Sequence, residues 1–145
     1  FLVFKWKIML QGQCHCGLTT YRCDGDILFQ VNCHCVDCQR ISGAAVSTYI
    51  GVLEDTLIVS GQLSLYEYNG GSGKLTNHQF CNKCGSQVLH ASPGIAPGVI
   101  MIKVGTLKDS TNVNSAFDIF IEDKADFILL NDHTTKFNKG IPVIH

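Results

Sequence analysis

The chain lacks any run of like charges, any basic stripe, any apolar segment long enough to span a bilayer and any sustained helical periodicity. Its 11 basic and 12 acidic residues give a formal charge of −1. That balance argues against nucleic-acid binding, because tracking a phosphate backbone needs a basic surface. The apolar start, residues 1–10, is interrupted by Lys5 and Lys7 and has no small-residue cleavage site, so it reads neither as a secretory signal nor as a membrane span. Phe1 is no start residue. Residues 1–8 are expected to be upstream or non-native sequence with Met9 as the natural start, leaving 9–145 as one domain.

With 46% hydrophobic and only 16% charged residues in 145, the chain has enough apolar material to bury a core, and disorder is excluded. Eight cysteines therefore need a reason other than propping up a small core. Their grouping supplies one. Cys14-His15-Cys16-Gly17, Cys33-His34-Cys35-Val36-Asp37-Cys38 and Cys81-Asn82-Lys83-Cys84-Gly85 are C-x-C and C-x-x-C clusters, which suit chelation of one ion better than stapling of distant loops. Free thiolates in turn imply a reducing, cytoplasmic compartment.

Tetrahedral zinc takes four ligands. The first and third clusters together offer four sulfurs. C-x-x-C wraps a tight turn, and Gly85 just beyond it can take the positive φ that turns backbone N–H groups toward the sulfurs. For Cys14 and Cys16 an extended strand would direct alternate side chains to one ion. The middle cluster packs three soft ligands into six residues and is one short. Cys23, His34, His15, His78 or a carboxylate could complete it, although His34 would point away on an extended segment. The sharper expectation is an open position for water or substrate. Three thiolates on Zn²⁺ leave a charge of roughly −1, so an anionic substrate needs a nearby cation, and Arg40 is the candidate. Cys23 reads as a buried small side chain, His78, His90 and His133 as isolated histidines, and Tyr66 and Tyr68 as groove-lining or packing aromatics. Ferredoxin-type iron–sulfur spacings are not reproduced.

The rest of the pattern is short strands. Residues 18–23, 27–31, 44–52, 56–60, 63–68, 74–80, 86–91, 99–104, 117–121 and 127–130 are β-prone runs, with Asp24-Gly25-Asp26 reading as a hairpin turn between the first two. Helix is limited to a turn after Cys38 and another before Phe127. The expected class is mainly β.

Gly12-Gln13-Cys14-His15-Cys16-Gly17, then Cys33 to Arg40 with Ser42-Gly43, then Phe80-Cys81-Asn82-Lys83-Cys84-Gly85-Ser86, resemble in order the glutathione-dependent formaldehyde-activating enzyme family, which includes the centromere protein V-like domains. The resemblance implies an Mss4-like fold of small antiparallel sheets around zinc. It implies a structural zinc on Cys14, Cys16, Cys81 and Cys84, and a second zinc on Cys33, Cys35 and Cys38. The implied activity joins glutathione to formaldehyde as S-hydroxymethylglutathione, a carbon–sulfur lyase reaction in reverse. The chain departs from the family pattern near its end, with Asn114-Ser115, Asp118-Ile119-Phe120 and Phe127 where relatives often have proline, a His-Ile-aromatic run and tryptophan. Two other functions fit the same scaffold: a non-enzymatic zinc module that binds a partner, and a redox enzyme, for which only Cys23 would be free.

Overall fold

The computed structural model describes residues 9–142; the segment 1–8, expected above to be upstream or non-native, lies outside the described residues. Eleven strands form two sheets. The smaller sheet has the order β1 (Leu10–Gln13), β2 (Thr20–Cys23), β5 (Leu57–Ser60), all antiparallel. The larger contains β3 (Phe29–Cys33), β4 (Ser47–Leu53), β6 (Ser64–Asn69), β7 (Leu75–Phe80), β8 (Gln87–Ala91), β9 (Val99–Lys103), β10 (Phe117–Ile119) and β11 (Thr135–Lys136). Its order is β11-β10-β3-β4-β9-β8-β7-β6, antiparallel except that β10 runs parallel to β3 and β11. The mainly β expectation holds.

The central strands β4 and β9 are buried on both faces, and strand alternation divides their side chains between two cores. Ile50 and Val52 from β4 join Ile100 and Ile102 from β9 in one core, which also contains Cys14, Cys23 and Cys81. Tyr49 and Met101, one residue out of step, belong to the other with Cys33 and Cys38. The register Ile50↔Ile102 and Gly51↔Met101 fixes this partition. Burying one such isoleucine is worth about 1.5–3 kcal/mol, so a one-residue slip would cost several of these at once.

Three expectations fail for physical reasons. Asp24-Gly25-Asp26 is not a hairpin turn, because β2 pairs with β1 and β5 whereas β3 pairs with β4 and β10. The Asp24 N–H instead bonds the Thr56 carbonyl at 3.3 Å, and the chain crosses between sheets. Residues 127–130 form no strand: Phe127 and Leu129 are 76% and 93% exposed, and Lys124 Nζ binds the Ala125 and Ile128 carbonyls, curling the segment. The turn after Cys38 is a full helix, α1 (Val36–Ser42), that begins before it. Cys35 is its N-cap, with Sγ accepting the Cys38 N–H at 3.3 Å, and Gly43 closes it at φ 69° by donating to the Gln39 carbonyl. Seven residues are too few to display a helical period.

Gly12 tests the close approach of the two sheets. A Cβ there would overlap the Thr106 carbonyl oxygen and the Tyr21 hydroxyl, which itself hydrogen-bonds Thr106 Oγ1 at 2.7 Å. Gly12→Ala is expected to destabilise by about 1–3 kcal/mol, read as a lower urea midpoint at unchanged slope.

Candidate metal centres

The four cysteines of the first and third clusters converge. Cys14 and Cys16 follow β1, while Cys81 and Cys84 sit in the turn between β7 and β8. Their sulfurs all lie within 4.8 Å of one another, with Cys14–Cys16 and Cys16–Cys81 at 3.7 Å. Zinc–sulfur bonds of about 2.3 Å at tetrahedral angles place sulfurs roughly 3.8 Å apart, whereas a disulfide would bring two to about 2.05 Å. The spacing therefore fits a shared metal ion.

The first pair is not on an extended strand as expected. It lies in a tight turn, in which Gly17 N–H donates to the Cys14 carbonyl at 3.1 Å. Thr19 N–H points at Cys14 Sγ at 3.3 Å. On the other side Gly85 takes φ 78° and donates to the Cys81 carbonyl at 2.7 Å. The Ser86 hydroxyl, 3.2 Å from Cys84 Sγ, helps pull that thiol down to about 5, and the same oxygen accepts the His15 N–H at 2.9 Å. One serine thus links both halves of the group.

Cys33, Cys35 and Cys38 form the second group, again with all sulfurs within 4.8 Å. Cys33 ends β3, Cys35 caps α1, and Cys38 is in its first turn. Hydrogen bonds from Cys33 and then Cys38 pull Cys35 down to about 3, while the Cys33 and Cys35 sulfurs push Cys38 far up. Three sulfurs so close resist ionising together unless a cation sits among them, which is the donor chemistry of a metal site.

No other cysteine, histidine or carboxylate among the described residues joins this group. Cys23 is buried in the opposite core, 3.3 Å from the Thr56 hydroxyl, and His15 is exposed beside the four-cysteine group. His34 points away from the sulfurs, with Nε2 2.7 Å from Asp118 Oδ1; the other Asp118 oxygen accepts the Thr134 hydroxyl. Burial raises the Asp118 carboxyl, but the bonds from Thr134 and His34 outweigh it and hold the group low. Gln39 Nε2 donates to the His34 and Asp123 carbonyls at 2.7 and 2.9 Å, tying α1 to the segment after β10.

A cavity of about 410 Å³ opens over the three sulfurs. Tyr49, His90 and Asp37 are polar side chains in its wall. Tyr49 is fully desolvated, which pushes its phenol well above the ordinary value. His90 meets Tyr49 edge-on at 5.2 Å and stacks on His78 at 4.3 Å; His78 stacks on Tyr68 at 5.8 Å and accepts or donates a 3.1 Å hydrogen bond with its hydroxyl. Tyr68 and Tyr66, themselves stacked at 5.5 Å, thus extend a row of rings behind the cavity and do not line it. Behind Tyr49 lies Lys103, 7% exposed, donating to Ser47 Oγ at 2.9 Å with Nζ 5.3 Å from the Tyr49 ring. Arg40, the expected cation, is exposed in the last turn of α1 and is not among the residues of the cavity wall. The buried cation is Lys103. Sequence reading missed it, although a lysine closing the apolar run Val99-Ile100-Met101-Ile102 was the available signal.

Fold and site together define a mainly β protein with two cysteine clusters suited to metal. The chain belongs to the glutathione-dependent formaldehyde-activating enzyme family, whose model matches residues 9–123. Among solved structures it is similar to the crystal structure of a Rhodobacter sphaeroides protein, 24% identical with a TM-score of 0.54, covering 72% of this chain and 90% of that one. No curated protein matches.

Burial, then the Lys103 charge, lowers His78 to about 4, below its ordinary 6.5. Between those values the unfolded chain binds a proton that the folded one refuses, so stability falls as pH drops from 6.5 toward 4 and is unaffected by this group above that window. His78→Phe loses the Tyr68 hydrogen bond at any pH but escapes the proton penalty. Its urea-midpoint deficit against the parent should therefore shrink between pH 7.5 and pH 5.

Proposed function

We propose that residues 9–145 act as one zinc-binding domain that forms or cleaves the adduct between a thiol, glutathione or a similar one, and a small aldehyde such as formaldehyde. The supporting observation is the three-sulfur group, one ligand short, at the base of a cavity. In this reading Cys14, Cys16, Cys81 and Cys84 hold a structural zinc, and Cys33, Cys35 and Cys38 hold a second with a position left for substrate. Bound there, zinc supplies positive charge that keeps an incoming thiol deprotonated at neutral pH.

The chemistry conserves every atom. The thiol sulfur forms a bond to the aldehyde carbon, the C=O π pair moves to oxygen, and the thiol proton ends on that oxygen; no oxidant or reductant enters. The chain's task is to exclude water, hold the partners and manage one proton. Tyr49, its phenol kept protonated by burial, is the donor toward the developing alkoxide. His90, held neutral by burial and then by the Lys103 charge, does not take up the proton itself and serves to position the Tyr49 ring that it meets edge-on. The Lys103 ammonium offsets the negative charge of three thiolates, the part first assigned to Arg40.

The low charge and absence of a basic run support a small-molecule partner and no nucleic acid. No helix among the described residues is long and apolar enough to cross a membrane. The cysteine usage supports a reducing, cytoplasmic setting.

Metal analysis should return two zinc per chain. Cys35→Ser should retain one and stay folded, whereas Cys84→Ser should unfold the protein; two ions kept in Cys35→Ser would sink the open-site reading. Thiol-dependent formaldehyde consumption should exceed the spontaneous rate, and Tyr49→Phe should lower kcat on the order of 100-fold with little change in KM. No rate above background with any thiol would leave a non-enzymatic zinc module.

A further inference from the structure

The cavity over Cys33, Cys35 and Cys38 is walled mainly by Phe29, Val31, Met101, Ile119, Phe120 and Ile141; its neutral polar part includes Ser72 and the Thr76 and Ser92 hydroxyls, which lie 3.2 Å apart and bond each other. No arginine or lysine lines it among the described residues, and the charged side chain in the wall is acidic, Asp37. Lys103 is shielded behind Tyr49 and committed to Ser47, and Lys74 and Lys139 are exposed outside the wall. A peptide thiol such as glutathione, drawn in until its sulfur meets the three cysteines, would bring its carboxylates among hydrocarbon, neutral hydroxyls and Asp37, with no cation to pair them. Burying a carboxylate without a cationic partner is costly. Formaldehyde, in turn, carries no substituent with which to fill about 410 Å³. A mostly apolar wall rewards hydrocarbon.

We infer that the cavity receives an uncharged, apolar substituent, an alkyl chain or aryl ring, carried by one of the two reacting partners. The inference deepens the thiol–aldehyde reading and rests on it for the reaction, though not for the binding. It makes Ile119, Met101 and Phe29 specificity-determining residues, selecting the substrate by what they exclude.

The test uses the full zinc-loaded chain and three series. The first pairs formaldehyde with ethanethiol, butanethiol, hexanethiol and glutathione. The second pairs ethanethiol with acetaldehyde, butanal and hexanal. In the third, unreactive straight-chain alcohols from butanol to octanol are titrated calorimetrically. One reactive series should climb in kcat/KM by about threefold to fourfold per methylene, as should the alcohol association constants. Whichever reactive series climbs identifies the partner that carries the chain. Ile141→Lys, at the half-buried rim, should weaken octanol binding at least tenfold and shift the preference from hexanethiol toward glutathione. Flat reactive series with glutathione the best thiol would overturn the inference while leaving the lyase reading standing. If no pair reacts, the alcohols still decide: rising affinity with length supports an apolar site, and no binding overturns it.

Discussion

Sulfur atoms 3.7 Å apart cannot all carry negative charge without a cation among them, and this electrostatic constraint organises the molecule. The four-sulfur group joins segments 65 residues apart in the chain, and it does so where the small sheet meets the large one. Closing so long a loop costs an entropy that grows only slowly with length, so a single ion held by four thiolates can fix the arrangement. The Ser86 hydroxyl, shared between Cys84 Sγ and the His15 N–H, adds a protein-only link at the same seam.

The large sheet then keeps the two groups separate. Because neighbouring residues of a strand face opposite sides, Ile50 and Ile102 are drawn into the core with Cys14, Cys81 and Cys84 of the four-sulfur group, whereas Tyr49 and Met101 go to the three. One wall thus serves a four-sulfur group on one face and a three-sulfur group beneath a cavity on the other. The cavity side also collects the unusual polar residues: Lys103, Tyr49, His90 and His78 are all buried there or in the row behind. Part of their cost is offset by specific neighbours, Ser47 for the ammonium and Tyr68 for the His78 Nε2, while Nδ1 of both His78 and His90 is buried without a partner.

Much of this was legible in the sequence because metal-binding cysteines leave local marks. The C-x-C and C-x-x-C spacings identified both sulfur groups, and Gly85 marked the turn that its φ of 78° confirms. Most strands were visible from β-branched and aromatic runs, to within one to three residues. What failed depended on contacts far along the chain. Asp24-Gly25 resembles a hairpin turn until β5 competes for β2, and residues 127–130 resemble a strand although no neighbour is there to pair with them. Arg40 was chosen as the cation by nearness in sequence, whereas Lys103 is set behind Tyr49 by the pairing of β9 with β4, which no local pattern encodes. The beginning of α1 was hidden because its capping residue is a cysteine, a residue read only as a ligand.

That capping cysteine has a consequence for how freely the position can vary. Cys35 answers two requirements with one atom: its sulfur accepts the Cys38 N–H that starts the helix, and it stands with Cys33 and Cys38 in the ligand group. Serine or asparagine satisfies the first requirement, histidine satisfies the second, and aspartate meets both only by putting a hard oxygen in place of a thiolate. Thiolate chemistry and helix geometry therefore overlap in a single residue type, and relatives that exchanged this cysteine would have to rebuild either the helix start or the metal set.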